Sequence, residues 1–118
     1  ISDSGVKSII KGTVANHGKI RGRVCIVFNV NQEAGKVING DILVTSMTRP
    51  EFMPLVRKVR AIVTDEGGIT SHAAIISREL NIPCLVGTKN ASSILRDGDL
   101  VEVDANNGVL RILKRANK

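Results

Sequence analysis

The chain has 118 residues, 42% of them hydrophobic and 24% charged, which is enough for one domain with one core and too few for two. No run of about eighteen apolar residues is present, so no membrane-spanning helix is expected. The net charge of +6 would suit a nucleic-acid binder, but two Phe, no Tyr and no Trp leave no stacking platforms. The basic residues are scattered apart from "RKVR" and "KRANK". A solvated basic surface is the plain reading; an electrostatic complement to phosphorylated ligands or an acidic neighbouring domain is the sharper one. The opening "ISDSGVKSIIKG" carries no secretory pattern, and Ile in place of an initiator Met suggests a piece of a longer chain.

In chain order, "SIIKGTVA" (Ser8 to Ala15) reads as a strand and "NHGKIRG" as a turn. "RVCIVFN" (Arg23 to Asn29) is a continuous apolar run, as in a strand buried on both faces. "NGD" (Asn39 to Asp41) is a tight turn before the strand "ILVTS" (Ile42 to Ser46). "RPEFMPLVRKV" suits a short or irregular helix, with Pro50 in its first turn and Pro54 weakening its middle. "AIVT" (Ala61 to Thr64) is a strand, and "SHAAIISREL" a helix of about three turns stopped by Asn81 and Pro83. "CLVG" (Cys84 to Gly87) is a short strand and "ASSIL" a single helical turn. "LVEVDA" and "VLRIL" flank "NNG", a hairpin signal. Strands alternating with helices in the middle and pairing as hairpins at the ends predict an α/β domain with a mixed sheet or two small sheets.

Cys25 and Cys84 lie inside the apolar runs "VCIVF" and "PCLVG". They read as buried structural thiols rather than a metal pair or a disulfide, which points to a reducing, cytoplasmic compartment.

The informative stretch is "TDEGGITSHAAIISRELNIP", Thr64 to Pro83. Gly67 and Gly68 allow a sharp turn after a strand and close approach of another group. Thr70 and Ser71 stand where a helix N-cap belongs, which puts His72 in the first helical turn. Unpaired N–H groups and a partial positive charge at that end attract anions and disfavour an imidazolium. A neutral imidazole has a free ring nitrogen and can act as a nucleophile. A phosphoryl group taken up there would meet helix N–H groups and the hydroxyls of Thr70 and Ser71. The alternative from helix physics alone is a capping turn whose histidine is merely polar and exposed. His17, in "NHGK", reads as an exposed turn residue, and Asp65 and Glu66 as braces of the glycine turn.

"GGITSHAAIISRELNIPCLVGT" resembles the signature of the phosphohistidine, or swivelling, domain of phosphoenolpyruvate-utilising enzymes. The synthase and dikinase members are the most similar. "GDILVTSMTRPEFMPLVRKVRAIVTDEGG" resembles that family's strand, Thr-x-Pro helix and Asp-Glu-Gly-Gly run. "GTVANHGKIRGRVCIV" resembles its opening and "LRDGDLVEVDANNGVLRI" its closing hairpin, so nearly the whole chain is covered. The resemblance implies a single compact β/β/α carrier domain over residues 1–118 of a larger phosphotransferase. It makes His72 the phosphoryl acceptor, with Gly68, Thr70 and Ser71 lining the phosphate. In synthase and dikinase members the threonine two before the histidine can be phosphorylated by a regulatory protein; Thr70 holds that position. Arg78, on the same helix, is assigned a structural or docking role. The resemblance implies no metal or cofactor on this domain, with Mg²⁺ and ATP on partner domains and pyruvate or phosphoenolpyruvate at a second site. Antibiotic and glucan phosphotransferases share the pattern, and a noncatalytic docking module of the same fold is the reading from another class.

Overall fold

The strand-forming segments assemble into one mixed sheet whose two edges meet. A computed structural model describes residues 9–116. The strands are β1 (Ile9–Lys11), β2 (Thr13–Asn16), β3 (Lys19–Ile26), β4 (Ile42–Thr45), β5 (Ala61–Thr64), β6 (Cys84–Val86), β7 (Leu100–Asp104) and β8 (Val109–Lys114). The α-helices are α1 (Val30–Glu33), α2 (Met53–Val56), α3 (His72–Leu80) and α4 (Ala91–Ile94), with 3₁₀ turns at Ala34–Lys36 and Pro50–Phe52. The strand order is β1-β8-β7-β3-β4-β5-β6-β2, parallel from β3 through β6 and antiparallel elsewhere.

The two edge strands, β1 and β2, are joined through Gly12 alone. Lys11 and Thr13 are therefore at most about 7 Å apart, and the sheet must roll until its edges adjoin. The expected single strand from Ser8 to Ala15 is split here; Ser8 itself lies outside the described residues. Gly12 permits the split by size. A Cβ on it would stand 2.8 Å from Thr88 Cγ2 and 3.0 Å from the Val86 carbonyl, while its own N–H bonds the Gly108 carbonyl at 3.0 Å.

Both faces of the parallel strands are covered, which is why those strands read as unbroken apolar runs. Cys25, Leu43, Ile62, Cys84 and Val86 point to one side and pack with Phe52, Leu55, Ala73 and Ile76 from the helical layer. Val24, Ile42, Val44, Val63 and Leu85 point to the other and pack with Val101, Val103 and Leu110 of the antiparallel strands. Helix on sheet on rolled sheet gives the β/β/α layering expected, with α3 as the principal helix and β7–β8 as the closing hairpin.

One local expectation is corrected. "NHGKIRG" is a turn only as far as Gly18; β3 begins at Lys19, and its first half is an alternating, partly exposed ribbon paired with β7. "VNQEAGK" holds α1 and a 3₁₀ turn, started by Asn29, whose side chain accepts from the Gln32 N–H. The helix after Arg49 is irregular as expected, opening as a 3₁₀ turn before becoming α2.

Candidate functional site

Parallel β4 and β5 run in register from Ile42 opposite Ala61 to Thr45 opposite Thr64. Pairing continues past their ends, with the Asp65 N–H on the Thr45 carbonyl at 3.1 Å and the Glu66 N–H on Ser46 at 2.9 Å. The two loops that leave these carboxyl ends are thus held side by side. One carries Met47 and Thr48; the other runs through Gly67 to Ser71 and into α3. Ligands of sheets with parallel strands gather at such ends.

Ser71 is the N-cap of α3: its backbone is extended and its Oγ accepts the Ala74 N–H at 3.3 Å. Its own N–H closes a turn onto the Gly68 carbonyl at 3.0 Å. His72 is therefore the first helical residue. Among the described residues, the N–H groups of His72 and Ala73 have no hydrogen-bond partner and remain available at the helix end. At the far end, Asn81 in the left-handed conformation and the Ile82 N–H on Ser77 close the helix before Pro83.

The imidazole is held by a residue from the other loop. Thr48 Oγ1 and His72 Nδ1 are 2.8 Å apart, and Thr48 is almost completely buried. One ring nitrogen is occupied by this contact, which leaves Nε2 as the ring nitrogen without a hydrogen-bond partner among the described residues. A cavity of about 360 Å³ opens beside the ring, lined by Met47, Thr48, Thr64, Glu66, Gly67 and Ser71 as well as His72 and Ala73. Nearby, Arg49 and Glu51 pair at 3.1 Å. The Glu51 carboxyl is held below the usual range by its own backbone N–H and by Arg49.

Of the residues singled out from the sequence, His72 and Ser71 line this cavity. Thr70 and Gly68 sit in the exposed turn just before it and are not part of its wall. The glycine in the wall is Gly67, with φ +102°, where a Cβ would press on the Ser71 side chain at 3.0 Å. A Cβ on Gly68 would meet open space. Asp65 turns away from the glycines, its carboxylate accepting the Ser92 N–H at 2.9 Å and the Ser92 hydroxyl. Arg78 holds the turn from behind: its guanidinium donates to the Ile69 carbonyl and, through Nε, to the Ala15 carbonyl at 3.1 Å. His17 is exposed between β2 and β3. Thr48 is the site residue that sequence reasoning misses, although it heads the Thr-x-Pro run. Its position at the carboxyl end of an apolar strand was the available signal. Among the described residues no three His, Cys, Asp or Glu side chains converge as metal ligands would.

A histidine pinned through one nitrogen at the N-terminus of a helix, over a small cleft at the carboxyl ends of parallel strands, defines a histidine-presenting domain. Residues 37–108 match the family model described as "PEP-utilising enzyme, mobile domain", and the chain belongs to that family. It is 53% identical over 102 residues to phosphoenolpyruvate synthase of Pyrococcus furiosus, covering 86% of this chain and 12% of that protein. It is 40% identical over 114 residues to an uncharacterized phosphotransferase of Bacillus subtilis, covering 97% of this chain and 14% of the relative. Among solved structures, an Enzyme I protein is 34% identical and superposes with a TM-score of 0.57, over 64% of this chain and 31% of that one. The chain thus spans about a seventh or less of the lengths of these two relatives, which carry other domains besides this one.

Proposed function

We propose that this domain is a phosphoryl carrier in which His72 accepts a phosphoryl group from ATP on a partner domain and delivers it at a second site. The observation that carries the reading is the Thr48–His72 contact at 2.8 Å. With Nδ1–H donating to Thr48 Oγ1, the lone pair of Nε2 faces outward. Nε2 attacks phosphorus, an N–P bond forms, and the P–O bond to the departing nucleotide breaks with its electron pair. The ring is left as a phosphoimidazolium still carrying the Nδ1 proton, and Thr48 accepts from that proton as the ring becomes more acidic. The new anion lies at the helix end, where the N–H groups of His72 and Ala73 are free to donate. Ser71 contributes through its cap, which orders those groups. Thr70 and Gly68 contribute through the turn that precedes it.

Mg²⁺ and ATP then belong to a partner domain and pyruvate to another, the product being phosphoenolpyruvate, or the reverse. The identity with the Pyrococcus furiosus synthase supports pyruvate as the acceptor. The Bacillus subtilis phosphotransferase matches more of the chain and supports a second reading, a carrier for a different acceptor such as an antibiotic or a glucan. Incubating the full-length parent with labelled pyruvate, ATP and Mg²⁺ separates them: labelled phosphoenolpyruvate supports the first, and a charged histidine that pyruvate fails to discharge supports the second. Thr70, exposed in its turn, is within reach of a modifying protein. Mass spectrometry after incubation with the cognate regulator tests that role, and an unmodified Thr70 removes it.

A further inference from the structure

Strand β5 keeps its alternation past its last residue. Ile62 faces the helical layer and Val63 the antiparallel strands. Thr64 returns to the first side and lines the His72 cavity. Asp65 goes to the second, where its carboxylate accepts from Ser92 of α4. Extended pairing with the β4 side continues through the Glu66 N–H, on the Ser46 carbonyl at 2.9 Å. The same alternation therefore sends the Glu66 side chain toward α3, and Glu66 lines the cavity beside His72. Its backbone is fixed whatever its side chain does, because its carbonyl accepts the Thr64 hydroxyl at 2.6 Å and the Gly87 N–H at 3.4 Å. Glu66 and His72 are the two ionisable residues of the cavity lining. Among the described residues no Lys or Arg pairs with the Glu66 carboxylate. A site that receives a phosphoryl group thus holds an unneutralised negative charge in its wall.

We infer that Glu66 sets the transfer potential of the charged domain: its carboxylate repels the phosphoryl group on His72, so the histidine charges less fully and discharges more readily. This rests on the carrier reading of His72. Charging adds a phosphoryl group to the ring, and the site gains negative charge beside a carboxylate. On discharge the N–P bond breaks, its electron pair returns to Nε2, a P–O bond forms to the acceptor, and the repulsion is relieved. The free N–H groups at the start of α3 act in the opposite sense, stabilising the anion. A carrier needs both, since a phosphohistidine held only by donors would keep its load. The other roles open to Glu66 have less support. Bracing the glycine turn uses its backbone groups and not its carboxylate. Metal binding would need further ligands, and among the described residues none converge.

The test uses the full-length parent with Glu66→Gln, Glu66→Asp and, as a control for the same loss of charge, Glu79→Gln, seven residues after His72 and about 10 Å further along α3. The equilibrium constant for charging His72 is measured with labelled ATP and Mg²⁺ at fixed product concentration, at low salt and at 1 M salt. At low salt Glu66→Gln is expected to raise it about two- to fivefold, the range for one exposed charge acting on another. Glu66→Asp, which keeps the charge, and Glu79→Gln are expected to stay near wild type. At 1 M salt, where screening acts within about 3 Å, the Glu66→Gln excess should largely vanish. A purely structural residue would not raise the charged fraction, nor do so in a salt-dependent way. An unchanged or lowered constant in Glu66→Gln, an equal rise in Glu66→Asp or Glu79→Gln, or a rise that salt leaves intact would overturn the inference while the carrier reading stands. A wild-type parent that takes no label on His72 would overturn both together.

Discussion

Replacing Thr48 by Val removes one oxygen and almost nothing else. Thr48 is 5% exposed, so the methyl that replaces the hydroxyl has no access to bulk water and no room to swing away. His72 Nδ1 then loses its partner at 2.8 Å and faces hydrocarbon. Leaving a partly buried polar atom unsatisfied costs about 1–3 kcal/mol. Because the ring gains positive charge as Nε2 bonds phosphorus, most of that cost falls on the transition state, which corresponds to a slowing of about five- to a hundredfold. Thr48→Ser keeps the oxygen and should stay within about threefold of wild type, the factor that a loss of well under 1 kcal/mol allows. The assay is the single-turnover rate of His72 phosphorylation in the full-length parent, with the unfolding free energy measured alongside. Wild-type rates in Thr48→Val, or equal impairment of Thr48→Ser, would refute the assignment of the tautomer and with it the choice of Nε2.

Other parts of the structure lead to four further expected outcomes. Gly67→Ala should destabilise by about 1–3 kcal/mol, because φ is +102° there and the new Cβ presses on Ser71, whereas Gly68→Ala meets open space and should be nearly neutral; equal denaturation midpoints would contradict this. Asp104 is held down to about 2 from 3.8 by the Asn107 side chain, by the N–H groups of residues 106 and 107, and by Arg111. A folded value below the unfolded one means its contribution is full above 3.8 and fades as pH falls toward 2, so Asp104→Asn should flatten the stability profile across that window and leave its shape above it unchanged. Cys25 and Cys84 are free and buried, with thiols pushed up to about 11 by burial, so neither should react with iodoacetamide at pH 8 until the domain unfolds, and reductant or chelator should leave the unfolding midpoint where it is. Thr70→Val should leave the fold intact, since the cap is Ser71; normal transfer rates in that variant would remove Thr70 from the phosphate's surroundings.

The parts of the fold most legible in the sequence are those with strong local signals. Ala61–Thr64 reads as a buried strand because all four side chains are enclosed. The "NNG" turn reads as a hairpin because Asp104 and Gly108 supply its cap and its positive φ. The break at Gly12 is hidden, since a strand changing partners has the same apolar pattern as one that continues; only the approach of Thr88 and Val86, far along the chain, reveals it. The first half of β3 is hidden by its exposure, which makes it look like a turn. In the site, His72 and Ser71 are legible because capping is a local code. Thr48 is not, because its partner is 24 residues away and the contact exists only once β4 and β5 pair. The roles of the two glycines are indistinguishable until φ places the constraint on Gly67.

The most direct test of the central claim is the site and chemistry of the phosphoryl group. The full-length parent, incubated with Mg²⁺ and labelled ATP, should take up label as a phosphoramidate, lost in acid and retained in base. His72→Ala should abolish it, and His17→Ala, altering an exposed residue with no helix end beside it, should leave it unchanged. Acid-stable label, or equal acid-labile label in wild type and His72→Ala, would contradict the account.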